Sequence, residues 1–113
     1  MSDAIQLSDA ERASVLRHRE VWAEENAALI KFGRQYDVPD GTGYAWQKQE
    51  AELTRMACQS AFATGDGTWH AILHEEVAEA FAESDPARLR AELIQVAAVA
   101  LRWIDAIDSR DQT

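Results

Sequence analysis

Glu75-Glu76-Val77-Ala78-Glu79 and Glu92-Leu93-Ile94-Gln95 are the most informative stretches of this chain, and the interval between them contains a helix break. Residues three positions apart share one face of an α-helix, so each segment, if helical, aligns two polar side chains. Three carboxylates and one amide would then converge between two helices. Oxygen-only clusters suit Mg²⁺ or Mn²⁺, and Mg²⁺ is usually held by a few carboxylates together with substrate phosphates. The pattern favours a phosphate-handling enzyme. The predicted metal ligands are Glu76, Glu79, Glu92 and Gln95.

The surrounding sequence carries start and stop signals for four helices. Ser8 with Glu11 fits a capping box, and prolines and glycines occupy the intervals between apolar stretches with helical spacing. The predicted helices run from about Asp9 to Gln35, from roughly Tyr44 to Ala63, from a cap at Thr68 to about Glu83, and from a cap at Asp85 to about Ser109.

No segment alternates in the manner of a β-strand, so the predicted fold class is an all-α, four-helix bundle. At 113 residues, the chain is expected to form a single domain, with residues 1–8 and 110–113 frayed.

Composition narrows the classes of function. The chain is 47% hydrophobic, which is ordinary for a folded protein. Its net charge is −9 without a basic patch, so nucleic acid binding is not expected. Cys58 is the only cysteine, which excludes an intrachain disulfide and predicts an apolar packing role. No leader pattern and no apolar run long enough for a bilayer occur, so a cytoplasmic protein without a membrane span is predicted.

The acidic faces have a simpler interpretation, in which the glutamates form an ordinary solvated surface. Spacing alone does not distinguish the two interpretations, because such patterns are common in glutamate-rich helices. Crowding favours the metal site, since neighbouring carboxylates without a cation repel each other and raise one another's pKa.

The chain resembles the MazG-like, all-α nucleoside triphosphate pyrophosphohydrolases, whose motif is EExxE, a gap, and then ExxD. Glu75, Glu76 and Glu79 match the first half, and Glu92 matches the first position of the second half. Other segments look like actinobacterial and phage members of this group. They are Phe32-Gly33-Arg34-Gln35 before Pro39-Asp40-Gly41-Thr42, the stretch from Asp85 to Ala91, and the stretch from Val96 to Ile104.

The resemblance implies a Mg²⁺-dependent hydrolase, with Mn²⁺ as an alternative ion, that converts a nucleoside triphosphate to a monophosphate and pyrophosphate. It also implies catalytic roles for Glu75, which would orient or activate water, and for Glu76. Self-association is implied as well, as a homodimer that completes the helical bundle or as a higher homo-oligomer. The motif's final aspartate is replaced by Gln95, whose amide coordinates without negative charge. A catalytically silent relative that binds a nucleotide or a protein partner is therefore the alternative.

Cations and histidines supply further candidates for the site. Arg102 and Lys48 are the predicted substrate-binding residues. Arg102 falls near the helix face of Glu92 and Gln95, whereas the sequence gives no way to choose among Lys48, Arg34 and Arg55. His70 and His74 have a spacing that could bind Zn²⁺. Their order does not match HExxH, however, so packing or solvent contact is the favoured role.

Overall fold

The computed structural model describes residues 6–110, and it contains four α-helices and no β-strand within that range. The helices are α1 (Asp9–Phe32), α2 (Ala45–Ala63), α3 (Trp69–Ala82) and α4 (Pro86–Arg110). The prediction of an all-α fold with four helices is confirmed. The predicted fraying of residues 1–5 and 111–113 lies outside the described residues, while residue 110 is the last residue of α4. Within residues 6–110, none of the helices combines the length and the apolar character that crossing a bilayer requires.

The chain divides into two compact units, of which the described part of the first is residues 6–38. This unit contains α1, which begins with the predicted capping box between Ser8 and Glu11. The helix ends at Phe32 rather than at Gln35 as predicted, because Gly33 adopts a φ of 71° and its N–H donates to the carbonyl of Leu29. No residue of α1 is buried.

The second unit, of which residues 39–110 are described, is built around α3. Helix α3 packs against both α2 and α4. Small side chains on α3 let its neighbours approach closely, since Ala78 and Ala80 are 5% and 1% exposed. The buried residues of the unit are Gln47, Thr54, Cys58, Ala78, Ala80, Leu89 and Val99. Because α3 is the middle helix, it positions the acidic residues that it carries.

Helices α2 and α3 are antiparallel, and backbone contacts fasten the beginning of α2 to the end of α3. The N–H of Gly43 donates to the carbonyl of Phe81 at 2.9 Å, and the hydroxyl of Thr42 donates to the carbonyl of Glu83 at 2.7 Å. Gln47 accepts from the N–H of Tyr44 and donates to an upstream carbonyl, both at 2.9 Å. These bonds set which residues of α2 face which residues of α3.

The end of α3 and the start of α4 are separated by residues 83–85. The Asp85 carboxylate accepts from the N–H of Arg88 at 3.0 Å, and Pro86 occupies the first helical position, as the sequence predicted. At the other end of the pair, the Arg102 guanidinium carbon lies 5.3 Å from the centre of the Trp69 ring. Helices α3 and α4 are therefore also antiparallel.

Gly43 is tightly enclosed, and this generates a stability prediction. A Cβ atom at Gly43 would lie 2.6 Å from the Cβ and 3.0 Å from the Cα of Ser84, and the φ of Gly43 is +85°. Gly43→Ala is expected to lower the free energy of unfolding by about 2–3 kcal/mol through backbone strain and steric clash. Urea denaturation followed by circular dichroism measures this change.

Gly41→Ala is the matched control. Gly41 has a similar φ of +68°, but nothing lies within 4 Å of the position of its Cβ. The free energy of unfolding of this variant is expected to fall by only about 1 kcal/mol, which comes from backbone strain without a steric clash. Equal losses for the two variants would contradict the close approach of Gly43 to Ser84.

Candidate metal centre

Three glutamates from two helices form one cluster of carboxylates. Glu76 and Glu79 lie one turn apart on α3, and Glu92 lies on the neighbouring α4. One carboxylate oxygen from each of the three residues lies within 4.8 Å of the other two, and all three side chains are half-buried. Among residues 6–110, this is the only group of three or more aspartate, glutamate, histidine or cysteine side chains close enough to share a metal ion. The sequence pattern predicted these three residues as metal ligands.

The carboxylates interact unfavourably with one another. The pKa of Glu79 is raised from an ordinary 4.5 to about 7, first by burial and then by the negative charges of Glu76, Glu75 and Glu92. Burial and the charges of Glu92 and Glu75 also raise the pKa of Glu76. The fold thus keeps at least one of these groups partly protonated near neutral pH, and a bound cation would favour the fully ionised cluster.

The cluster fits a hard divalent cation. All three donors are carboxylate oxygens, which Mg²⁺ and Mn²⁺ prefer over nitrogen or sulfur. Oxygens that share one Mg²⁺ at 2.0–2.1 Å are about 3–4 Å apart, so separations within 4.8 Å require only a small movement of the side chains. Half-burial leaves room for substrate phosphates as further ligands.

Glu75 lies beside this cluster and contacts α2. Cys58 of α2 faces Glu75 and is 7% exposed. Burial and the negative charges of Glu75 and Glu76 raise the pKa of Cys58 to about 11. The cysteine is therefore a neutral, packed thiol. The role of Glu75 in orienting or activating water stays a prediction.

The remaining predicted site residues lie at the surface. Gln95 is exposed one turn after Glu92 on α4, and Lys48 is exposed near the start of α2. Arg102 is also exposed and stacks on Trp69. It is ten residues beyond Glu92, or roughly 15 Å along the helix axis at 1.5 Å per residue. The structure therefore separates the Arg102 backbone from the carboxylate cluster, and the substrate-binding roles stay predictions.

The two histidines belong to a different surface. His70 and His74 have ring centres 5.6 Å apart and line an open cavity of about 440 Å³ between α2 and α3. A second cavity, of about 410 Å³, adjoins it through His74. The α2 residues around the first cavity are Leu53, Thr54, Ala57, Cys58 and Ala61. Among residues 6–110, the group close enough to share a metal ion contains neither His70 nor His74.

The sequence did not single out Arg55 as a residue that acts on this site. It lies on α2, and its positive charge opposes the rise in the pKa of Glu79. Its guanidinium also forms an ion pair with Glu52 on the same helix. The sequence offered several cations, and Arg55 is the cation whose charge acts on Glu79 in the folded chain.

Comparisons with protein-family models, with curated proteins and with solved structures gave no match to this chain. The similarity to the MazG-like pyrophosphohydrolases therefore stays a prediction based on the motif residues. The candidate function rests on the geometry and charge of the cluster itself.

The raised pKa values of Glu79 and Glu76 generate a prediction about pH. A carboxyl whose pKa is higher in the folded protein stabilises the fold at low pH, and this contribution is lost as pH rises through the folded pKa. In EDTA, the free energy of unfolding is expected to fall between about pH 5 and pH 8. Because Glu79 remains partly solvated, its share is expected to be about 1 kcal/mol.

Chemical denaturation at several pH values tests this prediction. Glu79→Gln is expected to flatten the decline, because the amide does not titrate. Glu24→Gln removes an exposed carboxylate of α1 and serves as the control that should keep the wild-type slope. If the free energy of unfolding declines with pH equally in the two variants, the pKa of Glu79 is not raised in the folded protein.

Proposed function

We propose that this chain is a Mg²⁺-dependent nucleotide pyrophosphohydrolase that converts a nucleoside triphosphate, of ribose or deoxyribose type, to the monophosphate and pyrophosphate. The supporting observation is the approach of Glu76, Glu79 and Glu92 to within 4.8 Å through their carboxylate oxygens. A protein of net charge −9 gains access to a polyphosphate most readily through a bound divalent cation. The resemblance to the MazG-like family supplies the reaction, and the cytoplasm is the proposed compartment.

The ion would be held by Glu76, Glu79 and Glu92, with Gln95 as a neutral fourth ligand or a substrate contact. When bound, Mg²⁺ or Mn²⁺ neutralises phosphate charge and polarises the triphosphate. Glu75 lies beside these residues and would orient the attacking water and accept its proton. The oxygen of the attacking water would bond to the α or the β phosphorus. The P–O bond of the bridging oxygen between these two phosphates would break, and the products would be the monophosphate and pyrophosphate.

Gln95 supports a second candidate function. An amide at this position contributes no negative charge, so the ion would be held less firmly than by four carboxylates. In this alternative, the protein is a catalytically silent relative that binds a nucleotide or a protein partner without cleaving a bond.

The activity assay is a panel of ribo- and deoxyribonucleoside triphosphates with Mg²⁺ or Mn²⁺, with release of pyrophosphate as the signal. Glu79→Gln is expected to lower kcat/KM by about a hundredfold or more, since changing even an outer partner of a metal ligand commonly costs 10–100-fold. Glu24→Gln, on the exposed surface of α1, is the control and should retain wild-type activity.

Gln95→Asp separates the two candidate functions. Added negative charge beside the cluster is expected to strengthen Mg²⁺ binding in either case. Activity in the wild-type protein supports the enzyme, whereas a silent wild type whose Gln95→Asp variant cleaves nucleotides supports the silent relative. Silence of both proteins across the whole panel would contradict the proposed reaction.

We also propose that the chain forms a homodimer. Large apolar side chains stay exposed on the helices of the second unit, including Trp46 at 66%, Leu53 at 56% and Met56 at 58%. A second copy would cover such surfaces by helix packing and remove them from water. Light scattering coupled to size exclusion is expected to give twice the 12.6 kDa chain mass at micromolar concentration. A mass of one chain at every concentration would contradict the dimer.

A further inference from the structure

Two histidines of α3 form a pair that is separate from the carboxylate cluster. His70 and His74 lie one turn apart on the same face of the helix. The centres of their rings are 5.6 Å apart and the ring planes are tilted by 44°, so the rings do not stack face to face. Two imidazoles that bind one tetrahedral ion through bonds of about 2 Å have ring centres about 5 Å apart. Small rotations of the two side chains therefore suffice to bring one nitrogen of each ring to a common ion.

The imidazoles of this pair are accessible and are not held by other groups. Both side chains are exposed, and among residues 6–110 no hydrogen bond or ion pair engages either of them. The third histidine of the chain differs, since Nδ1 of His18 donates to the carbonyl of Ser14 at 2.7 Å. His18 also has no second histidine one turn away on α1. The nitrogens of His70 and His74 are therefore available to an external ligand.

The space beside the pair is large enough for an ion with its own ligands. Both rings line the open cavity of about 440 Å³ between α2 and α3, whose other walls are mainly small or apolar side chains. Within the described residues 6–110, no third carboxylate, imidazole or thiol is close enough to complete a set of protein ligands. The protein thus supplies two donors, and water or an incoming donor would occupy the remaining coordination positions.

The pair differs from the carboxylate cluster both in position and in ligand chemistry. Glu76 follows His74 by two residues, which is a rotation of about 200° around α3, so the two groups lie on opposite sides of the helix. Imidazole nitrogens suit Zn²⁺, Cu²⁺ and Ni²⁺, whereas carboxylate oxygens suit Mg²⁺ and Mn²⁺. The two faces of α3 therefore favour two classes of divalent ion.

We propose that His70 and His74 bind a divalent transition ion, Zn²⁺, Ni²⁺ or Cu²⁺, in the cavity between α2 and α3. One nitrogen of each ring holds the ion, and water completes its coordination. The order HExxH is not needed, because that motif adds a general base for hydrolysis and this site has none. The bound ion links two successive turns of α3 and stabilises the middle helix of the unit. This inference goes beyond the proposed function and does not depend on it, since neither histidine belongs to the carboxylate cluster.

Isothermal titration calorimetry with Zn²⁺ tests the site on the untagged protein. Excess Mg²⁺ in the solution competes for carboxylate oxygens, so that uptake of Zn²⁺ reports nitrogen ligands. We expect the wild type to bind Zn²⁺ under these conditions. His70→Ala and His74→Ala should each raise the Kd at least about tenfold, because a single imidazole cannot chelate the ion. The double variant should be little weaker than either single variant.

Two further measurements identify the ligands and the effect on the fold. Electron paramagnetic resonance of the Cu²⁺-loaded wild type should show hyperfine coupling to two imidazole nitrogens, and that of His70→Ala to fewer. Zn²⁺ should raise the Tm of the wild type with increasing concentration by mass action, and it should leave the Tm of His74→Ala nearly unchanged.

His18→Ala is the matched control. It removes an exposed histidine of α1 that has no partner at this spacing, so its Kd for Zn²⁺ should equal that of the wild type. Circular dichroism verifies that each variant keeps its helices.

The outcomes separate failure of this inference from failure of the proposed function. A wild type that takes up no Zn²⁺ in excess Mg²⁺ overturns the histidine site and leaves the carboxylate cluster untouched. A Kd within twofold of the wild type for either His70→Ala or His74→Ala also overturns it, as does equal weakening in His18→Ala. Both histidine variants should still take up Mn²⁺ as the wild type does. Joint loss of Zn²⁺ and Mn²⁺ uptake would indicate a disturbed helix and would overturn the inference as well.

Discussion

Repulsion among the carboxylates of Glu76, Glu79 and Glu92 is the constraint on which the candidate site depends. Packing of α4 against α3 holds these groups together although each would be better solvated apart. The cost is visible in the raised pKa of Glu79, at about 7. A fold that maintains such a cluster gains from a divalent cation, and the same cation would give a strongly acidic protein a means of holding phosphate.

Helix α3 connects this constraint to the rest of the second unit. Its alanines allow close packing, while its glutamates lie at the junction with α4 and beside α2. Helix α2 supplies two side chains that act on the glutamates of α3. The buried Cys58 thiol faces Glu75, and the positive charge of Arg55 opposes the rise in the pKa of Glu79. The Gly43 and Thr42 hydrogen bonds fix the antiparallel direction of α2 alongside α3.

Local signals made much of this arrangement predictable. Caps at Ser8, Thr68 and Asp85 mark helix starts because each satisfies free backbone N–H groups nearby in sequence. The grouping of Glu76 with Glu79 follows from helical periodicity within α3. The place of Arg55 was not predictable, since it depends on how two helices are aligned across 24 residues of chain. The early end of α1 depends on the positive φ of Gly33, which composition permits but does not require.

The most direct measurement is a titration of the purified protein with Mn²⁺, in which electron paramagnetic resonance reports the concentration of the free ion. We expect saturable uptake of Mn²⁺ by the wild type. This uptake should be lost when Glu76, Glu79 and Glu92 are all replaced by glutamine, with the helical circular dichroism spectrum unchanged. Absence of uptake by the wild type, or equal uptake by the triple variant, would contradict a metal centre between α3 and α4.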